Sequence, residues 1–210
     1  MMTENELKEQ LLADRKMREV LEIVARLQLQ DVWVCAGTIR NFIWNLLSSK
    51  DPFDEETDVD VVFYDPTSSY EETILIEENL RRSHPAYRWE VKNQVYMHQH
   101  NPKTSPYESS CDAISKFPET CTAIAARLLP DCQVELFCPY GLGDLLDFKI
   151  CPTPHFVAHP ERMKVYRERL DQKGWKEKWE KLQLLHVEDI KRESDELKGS
   201  AAKGCYTFFK

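Results

Sequence analysis

Apolar residues recur along this chain at two spacings, one typical of helices and one typical of strands. Between Leu7 and Leu27 the spacing is helical and follows a capping-box pattern at 3–6, which predicts one long amphipathic helix ending near Gln28. The apolar face of 39–47 has the same period and predicts a second helix. Further helices are predicted at 70–82, 111–116, 119–129, 159–172 and 175–185.

Short runs of β-branched and aromatic residues predict the strands. These runs lie at 32–36, 59–64, 87–91 and 134–138. The run 59–64 is apolar apart from one acid, which is typical of an interior strand buried on both faces. In the C-terminal part of the chain, the helical spacing of Trp175, Trp179 and Leu182 favours packing over a base-stacking platform.

Two aspartates stand at the entrance of this interior strand. Side chains two residues apart share one face of a strand, so the carboxylates of Asp58 and Asp60 are expected to lie close together. Two like charges so placed repel unless a cation lies between them or one binds a proton. Mg²⁺ and Mn²⁺ prefer hard oxygen ligands, and the pair therefore predicts a site for one of these ions.

Two further features suit the same chemistry. Gly37 precedes a helix whose free N–H groups and positive dipole end suit phosphate, and Thr38 and Arg40 add a hydroxyl and a cation. Glu135 is a lone acid in an otherwise apolar strand, and a metal held by the two aspartates would be a natural partner for it. The alternatives are a water-facing Glu135 on an edge strand and a surface position for Arg40.

Taken together, the motifs resemble a known family. The resemblance is carried by the segments 36–41, 57–60, 92–98 and 139–145. They are similar to the DNA polymerase β-type nucleotidyltransferase superfamily, and more closely to its bacterial branch called NTP-transferase-6 (DUF925). The similarity extends from about residue 15 to residue 185. Thr38 stands where the superfamily usually has serine, which keeps the hydroxyl.

The resemblance implies an α+β (mixed α/β) nucleotidyltransferase fold, with a short mixed β-sheet and helices packed on it. It implies a two-metal site in which Asp58 and Asp60 hold both ions and Glu135 completes the catalytic one. Nucleotide contacts are expected from Gly37, Thr38, Arg40, Asn41, Asn93 and His98. The implied reaction is attack of an acceptor oxygen on the α-phosphorus of an NTP, with release of pyrophosphate. The resemblance does not supply the acceptor.

Net charge and cysteine content limit the partners and the cellular compartment that we expect for this protein. A net charge of −8 and a pI near 5.3 argue against long nucleic acid and favour a small-molecule or protein acceptor. Seven cysteines without zinc-site spacing are typical of reduced thiols, and no secretory signal or apolar span is apparent. We therefore expect a cytoplasmic protein without a membrane span.

The domain organisation is predicted to be simple. We expect a single domain over 1–187, including a C-terminal helical annex at 159–187, followed by a polar, frayed tail at 188–210.

Two other functions are compatible with the residues. One is a catalytically silent nucleotide sensor or interaction module on the same fold. The other is a phosphohydrolase that uses water as the acceptor.

Overall fold

The computed structural model describes residues 2–185, which contain both helices and strands. The helices are α1 (Glu4–Ala13), α2 (Arg15–Arg26), α3 (Ala36–Leu47), α4 (Tyr70–Ser83), α5 (Gln94–Met97), α6 (Ser110–Ser115), α7 (Gly143–Leu146), α8 (Pro154–Val157), α9 (Pro160–Gln172) and α10 (Trp175–Lys178). The strands are β1 (Trp33–Cys35), β2 (Asp58–Phe63), β3 (Arg88–Asn93), β4 (Ala125–Leu128), β5 (Val134–Phe137), β6 (Lys149–Ile150) and β7 (Gln183–Leu184). The predicted tail at 188–210 lies outside the described residues.

Five strands form the main sheet, in the order β3-β2-β1-β4-β5. Strands β2 and β3 are parallel and are connected by α4, whereas the other three pairings are antiparallel. The predicted short mixed sheet with helices packed on it is confirmed. The register of the parallel pair places Asp58 opposite Arg88 and Asp60 opposite Glu90.

The N-terminal segment is two helices, so the prediction of one long helix is wrong. Asp14 interrupts the helical backbone with extended dihedral angles (φ −73°, ψ 123°). Its carboxylate accepts a hydrogen bond from the Met17 backbone N–H at 2.8 Å and thereby caps α2. Apolar periodicity continues across this break, which is why the pattern alone did not reveal it.

The helix predicted at 119–129 is also wrong. Residues 117–124 contain bends, an isolated bridge from Glu119 to Pro152 and a turn at 120–122, and the chain then enters β4. Here tertiary hydrogen bonds replace helical ones. The Thr120 N–H donates to the Cys151 carbonyl at 2.9 Å, and the Thr120 hydroxyl donates to Asp144 Oδ2 at 2.6 Å. Ile124 accepts from the Ala36 N–H at 3.0 Å, which joins this segment to the start of α3.

Helix α3 lies at the centre of the core and packs against the C-terminal segment. Trp44 stacks on Phe148 at 5.9 Å between ring centroids and meets Trp175 and Trp179 edge-on. Trp175, Trp179 and Leu182 are all buried, which confirms that they pack. The helix predicted at 175–185 is wrong beyond its first turn, since α10 ends at Lys178. No helix among residues 2–185 combines the length and apolar character needed to cross a membrane.

Candidate active site

A pocket of about 810 Å³ opens between the start of strands β2 and β3 and the end of helix α9. One side carries carboxylates, and we call it the acidic wall: Asp58, Asp60 and Glu90. The other side carries cations, and we call it the basic wall: Arg169, Lys173 and Lys178. The predicted residues Gly37, Arg40 and Asn41 also line this pocket.

Asp58 and Asp60 share one face of β2, as alternation along a strand requires. Val59 between them is buried, whereas Asp58 is exposed and Asp60 is half-buried. Burial of the carboxyl group and the charge of Glu90 raise the pKa of Asp60 from its usual 3.8 to about 6. Arg40 and the backbone N–H groups of Gly37 and Thr38 act in the opposite direction. The acidic wall thus has the electrostatic strain that a bound cation would relieve.

Glu90 is the acidic-wall residue that sequence reasoning missed. It lies directly across from Asp60 in the parallel register of β2 and β3, and its side chain is 3.5 Å from Lys92 Nζ. The sequence shows Glu90 only as the polar member of an alternating strand. Glu90 could have been found only by pairing β3 with β2 in parallel and placing an acid across from Asp60. The sequence of neither strand specifies the register between them.

The Gly-Thr pair before α3 supports the aspartate strand. The Thr38 hydroxyl donates to the Asp58 carbonyl at 3.1 Å and accepts from the Asp60 N–H at 2.7 Å. A Cβ placed on Gly37 would lie 2.9 Å from Asp60 Oδ2, which is closer than real Cβ atoms approach. Gly37 therefore leaves the space that the Asp60 carboxylate occupies, and Thr38 fixes the backbone on either side of Val59.

Buried Arg40 and half-buried Asn41 form a polar layer that lines the pocket. Arg40 is 4% exposed and lies between the rings of Trp44 and Trp175, at 5.1 and 4.4 Å from their centroids. Its Nη1 donates to Thr122 Oγ1 at 2.8 Å, and its Nη2 donates to Asn41 Oδ1 at 2.8 Å. Because burial disfavours the charged form, the pKa of Arg40 is lowered. The alternative of a surface position for Arg40 is therefore excluded.

The structure places Glu135 far from the aspartates. Strand β5 is the edge of the sheet, three positions from β2, which corresponds to about 14 Å at the usual strand spacing. Glu135 Oε2 accepts from Arg127 Nε at 2.6 Å, and Arg127 is its direct cross-strand neighbour. Glu135 does not line the pocket. An edge position and an arginine partner explain its presence in an apolar strand without a metal.

Asn93 and His98 also lie away from the pocket. Asn93 pairs with Phe63 at the opposite end of β2 from Asp58. Its side-chain amide donates to the Asp65 carbonyl at 2.8 Å and accepts from the Asp65 N–H at 3.3 Å, so that it joins the ends of β2 and β3. His98 Nδ1 lies 3.1 Å from the Val95 carbonyl, within the same turn. The geometry gives both residues local structural contacts.

The three acidic-wall carboxylates line one pocket without converging on a single point. Within residues 2–185, no group of three or more His, Cys, Asp or Glu side chains is arranged closely enough to hold a metal ion. Asp60 instead points toward the Gly37 backbone. Side-chain rotation would therefore accompany any binding of a divalent cation here.

Comparison with known proteins agrees with this geometry. Residues 22–184 match the nucleotidyltransferase family NTP-transferase-6. An NMR structure described as a CCA-adding enzyme head domain is 51% identical, with a TM-score of 0.84 over 88% of this chain and 97% of that chain. No curated protein matches this sequence.

Two more distant structures share the fold alone. A CCA-adding enzyme in complex with CTP is 15% identical with a TM-score of 0.51, over 94% of this chain and 48% of that chain. A CCA-adding enzyme in complex with ATP is 17% identical with a TM-score of 0.50, over 93% and 47%. The chain spans about half the length of these two proteins. On the match over 22–184, the chain belongs to the nucleotidyltransferase family, and its sheet and helices have the fold of a nucleotidyltransferase head domain.

Proposed function

We propose that this nucleotidyltransferase moves a nucleoside monophosphate from an NTP to an acceptor hydroxyl, with release of pyrophosphate, at the pocket between the acidic and basic walls. The observation that carries the proposal is the register of β2 and β3. It brings Glu90 beside Asp60, and both line one pocket with Asp58. Three carboxylates on one wall suit a reaction in which negative charge must be neutralised around phosphorus.

A divalent cation fits this wall on the chemistry of its donors. Asp58, Asp60 and Glu90 offer only carboxylate oxygens, the ligands that Mg²⁺ and Mn²⁺ prefer. Burial and the charge of Glu90 raise the pKa of Asp60, and such an ion would offset both by favouring the ionised carboxylate. When bound, the cation would polarise phosphate oxygens and stabilise the leaving pyrophosphate. Glu90 takes the role that the sequence assigned to Glu135.

The remaining residues position this wall. Thr38 holds the two aspartates at a fixed spacing through hydrogen bonds to the backbone of both. Asn41 Nδ2 donates to Thr57 Oγ1 at 2.9 Å and so ties α3 to the chain just before β2. Arg40 places a buried positive charge behind Asp60, where it favours the ionised carboxylate. Arg40 thus favours the charged form of Asp60, and the contacts of Thr38 and Asn41 order the strand that carries it.

The acceptor is proposed as a small molecule or protein, on the argument that a net charge of −8 disfavours long polyanions. The 51% identical neighbour is described as a CCA-adding enzyme head domain, which makes an RNA 3′ end the competing acceptor. The RNA alternative is therefore a required arm of the test. The same experiment determines which base of the NTP the protein prefers.

The test is a transfer assay with the four NTPs, labelled at the α-phosphate, in Mg²⁺ or Mn²⁺. Acceptors are supplied as a metabolite pool, a protein pool and an RNA pool, and adducts are identified by mass spectrometry. We expect a labelled adduct and pyrophosphate with the wild type and neither with Asp58→Ala. Release of inorganic phosphate alone would mark a phosphohydrolase. Binding of NTP without any product in every pool would favour the silent sensor.

A further inference from the structure

The cations of the basic wall differ in how the protein uses them. Lys178 is bonded to Asp54, and Arg169 Nε donates to Glu119 Oε1 at 2.8 Å. Lys173 lines the pocket from the end of α9, and its side chain has no hydrogen bond or ion pair within residues 2–185. Among the three cations of the basic wall, Lys173 is thus the one without an ion-paired or hydrogen-bonded neighbour in the described chain.

Arg169 is held in a way that leaves most of its donors available. Its partner Glu119 is completely buried, yet Glu119 Oε2 has no hydrogen-bond partner within the described chain. The pair is therefore joined through the Arg169 Nε alone, at one end of the guanidinium group. The two terminal nitrogens have no hydrogen-bonded acceptor among residues 2–185, and the side chain remains 35% exposed. A guanidinium fixed by Nε presents its outer nitrogens as a planar fork that suits phosphate.

At the start of α3, the position that a phosphate would usually occupy is filled by the Asp60 carboxylate. The N–H groups of Gly37 and Thr38 at the start of α3 act on the Asp60 carboxylate and oppose the rise of its pKa, and Asp60 Oδ2 lies 2.9 Å from where a Cβ on Gly37 would be. The Thr38 hydroxyl is engaged with the backbone of Asp58 and Asp60. Gly37 and Thr38 therefore offer little charge to a polyphosphate that enters the pocket, and the cations of the basic wall line the same pocket and can supply it.

We propose that Arg169 and Lys173 bind the polyphosphate tail of the nucleoside triphosphate, and that buried Glu119 is the positioning residue that holds Arg169. The inference deepens the proposed function and rests on it. Arg169 supplies a rigid fork and Lys173 a mobile point charge, two complementary ways to bind adjacent phosphates. Burial of Glu119 makes its bond to Arg169 rigid, because the charge has no water to exchange with.

Calorimetric binding of ATP, CTP, AMP and inorganic tripolyphosphate, each with Mg²⁺, tests the subsite. Lys173→Gln and Arg169→Gln are each expected to raise the Kd for ATP and tripolyphosphate about tenfold, since each removes a charge-assisted contact. The Kd for AMP should change by less than about twofold, because AMP lacks the tail that these residues bind. Lys176→Gln is the matched control: Lys176 is exposed, lies three residues from Lys173 and does not line the pocket.

The role of Glu119 is tested by a double-mutant cycle with Arg169. Glu119→Gln should weaken tripolyphosphate binding about two- to fivefold in the wild type and not at all in the Arg169→Gln background. A merely structural role would weaken binding equally in both backgrounds. Thermal unfolding of each variant is recorded beside the Kd, so that loss of folded protein is separated from loss of affinity.

The outcomes separate this inference from the function on which it rests. Wild-type Kd values in Lys173→Gln and Arg169→Gln, with nucleotidyl transfer intact, would overturn the inference and leave the proposed function standing. Weakened tripolyphosphate binding in both variants supports the inference, even if Asp58→Ala retains transfer and the acidic wall is refuted. Failure of the wild type to bind ATP, CTP and tripolyphosphate would overturn both.

Discussion

Glu90 and Glu135 are glutamates on strands of the same sheet, yet their surroundings are opposite. Glu90 lies across from Asp60 on the β2–β3 pair and lines the pocket. Glu135 lies across from Arg127 on the β4–β5 pair and forms an ion pair with it at 2.6 Å. The two glutamates thus differ in the residue directly across the ladder, which is an acid for Glu90 and an arginine for Glu135.

The difference has an energetic side. Oppositely charged residues directly across a sheet stabilise it by about 0.2–1 kcal/mol, whereas like charges there are destabilising. Glu135 belongs to the first kind, and its arginine also stacks on Trp33 at 4.1 Å from the ring centroid. Glu90 lies across from another acid, and after burial, the larger cause, its charge raises the pKa of Asp60. A cost of this sort in the unliganded protein is what a bound cation would reverse.

The largest effect is expected from neutralising Asp60. Asp60→Asn removes a carboxylate of the acidic wall, and nucleotidyl transfer should fall about 100- to 1,000-fold. Stability should stay equal or rise, because the repulsion between Asp60 and Glu90 is lost. Pyrophosphate release and urea unfolding measure the two quantities. Transfer within tenfold of the wild type would show that Asp60 is not part of the catalytic machinery.

Gly37→Ala disturbs the same carboxylate indirectly. Its new Cβ would meet Asp60 Oδ2 at 2.9 Å, so the carboxylate must move away from the N–H groups that orient it. Loss of such orienting contacts typically lowers metal affinity about 10- to 100-fold, and Mn²⁺ titration measures it. Gly143→Ala is the control, because a Cβ at Gly143 meets nothing within 4 Å. Equal Mn²⁺ affinity in both variants would contradict the account of Gly37.

The local part of this site was predictable from the sequence. Alternation along β2 places Asp58 and Asp60 on one face, and Gly37 before an apolar helix marks the turn that supports them. Both inferences use only neighbouring residues. The position of Glu90 and of Glu135 depends on which strands pair and in what register, and neither strand contains that information.

The fold shows the same limit. The apolar spacing of 119–129 suited a helix, but bonds from Thr120 to Cys151 and Asp144 hold this segment in turns. The sequence therefore did not reveal Glu119 as the partner of Arg169. Long-range partners override local periodicity wherever buried polar groups need them. The α+β fold itself was predictable, because several spaced motifs of the family together specify it.

Thr38→Val tests the support of the aspartate strand with a smaller effect. It removes the hydroxyl that bridges Asp58 and Asp60 and leaves the Asp60 N–H without that acceptor, which should lower the free energy of unfolding by about 1–3 kcal/mol. Thr38→Ser keeps the hydroxyl and should lose less than half as much. Urea unfolding compares them. Equal stability of the two variants would refute the bridging role.

His155, in α8 outside the main sheet, gives an effect that is small above pH 7 and depends on pH. Burial and the charges of Arg162 and Lys116 lower its pKa from 6.5 to about 4, with Asp112 opposing. The unfolded chain therefore binds the proton more readily, and stability should fall as the pH drops from about 6.5 toward 4. His155→Gln should remove this part of the slope while leaving stability above pH 7 nearly unchanged. Urea unfolding across pH 4–8 measures both, and an unchanged slope would contradict the prediction.

The most direct test of the central claim is the Mn²⁺ affinity of the wild type, Glu90→Gln and Glu135→Gln, measured by calorimetry in one buffer. The two variants make the same chemical change on two strands of the same sheet. If Glu90 belongs to the metal-binding wall, Glu90→Gln weakens Mn²⁺ binding at least about tenfold and Glu135→Gln leaves it within about twofold. Weakened binding in Glu135→Gln with wild-type affinity in Glu90→Gln would contradict the account.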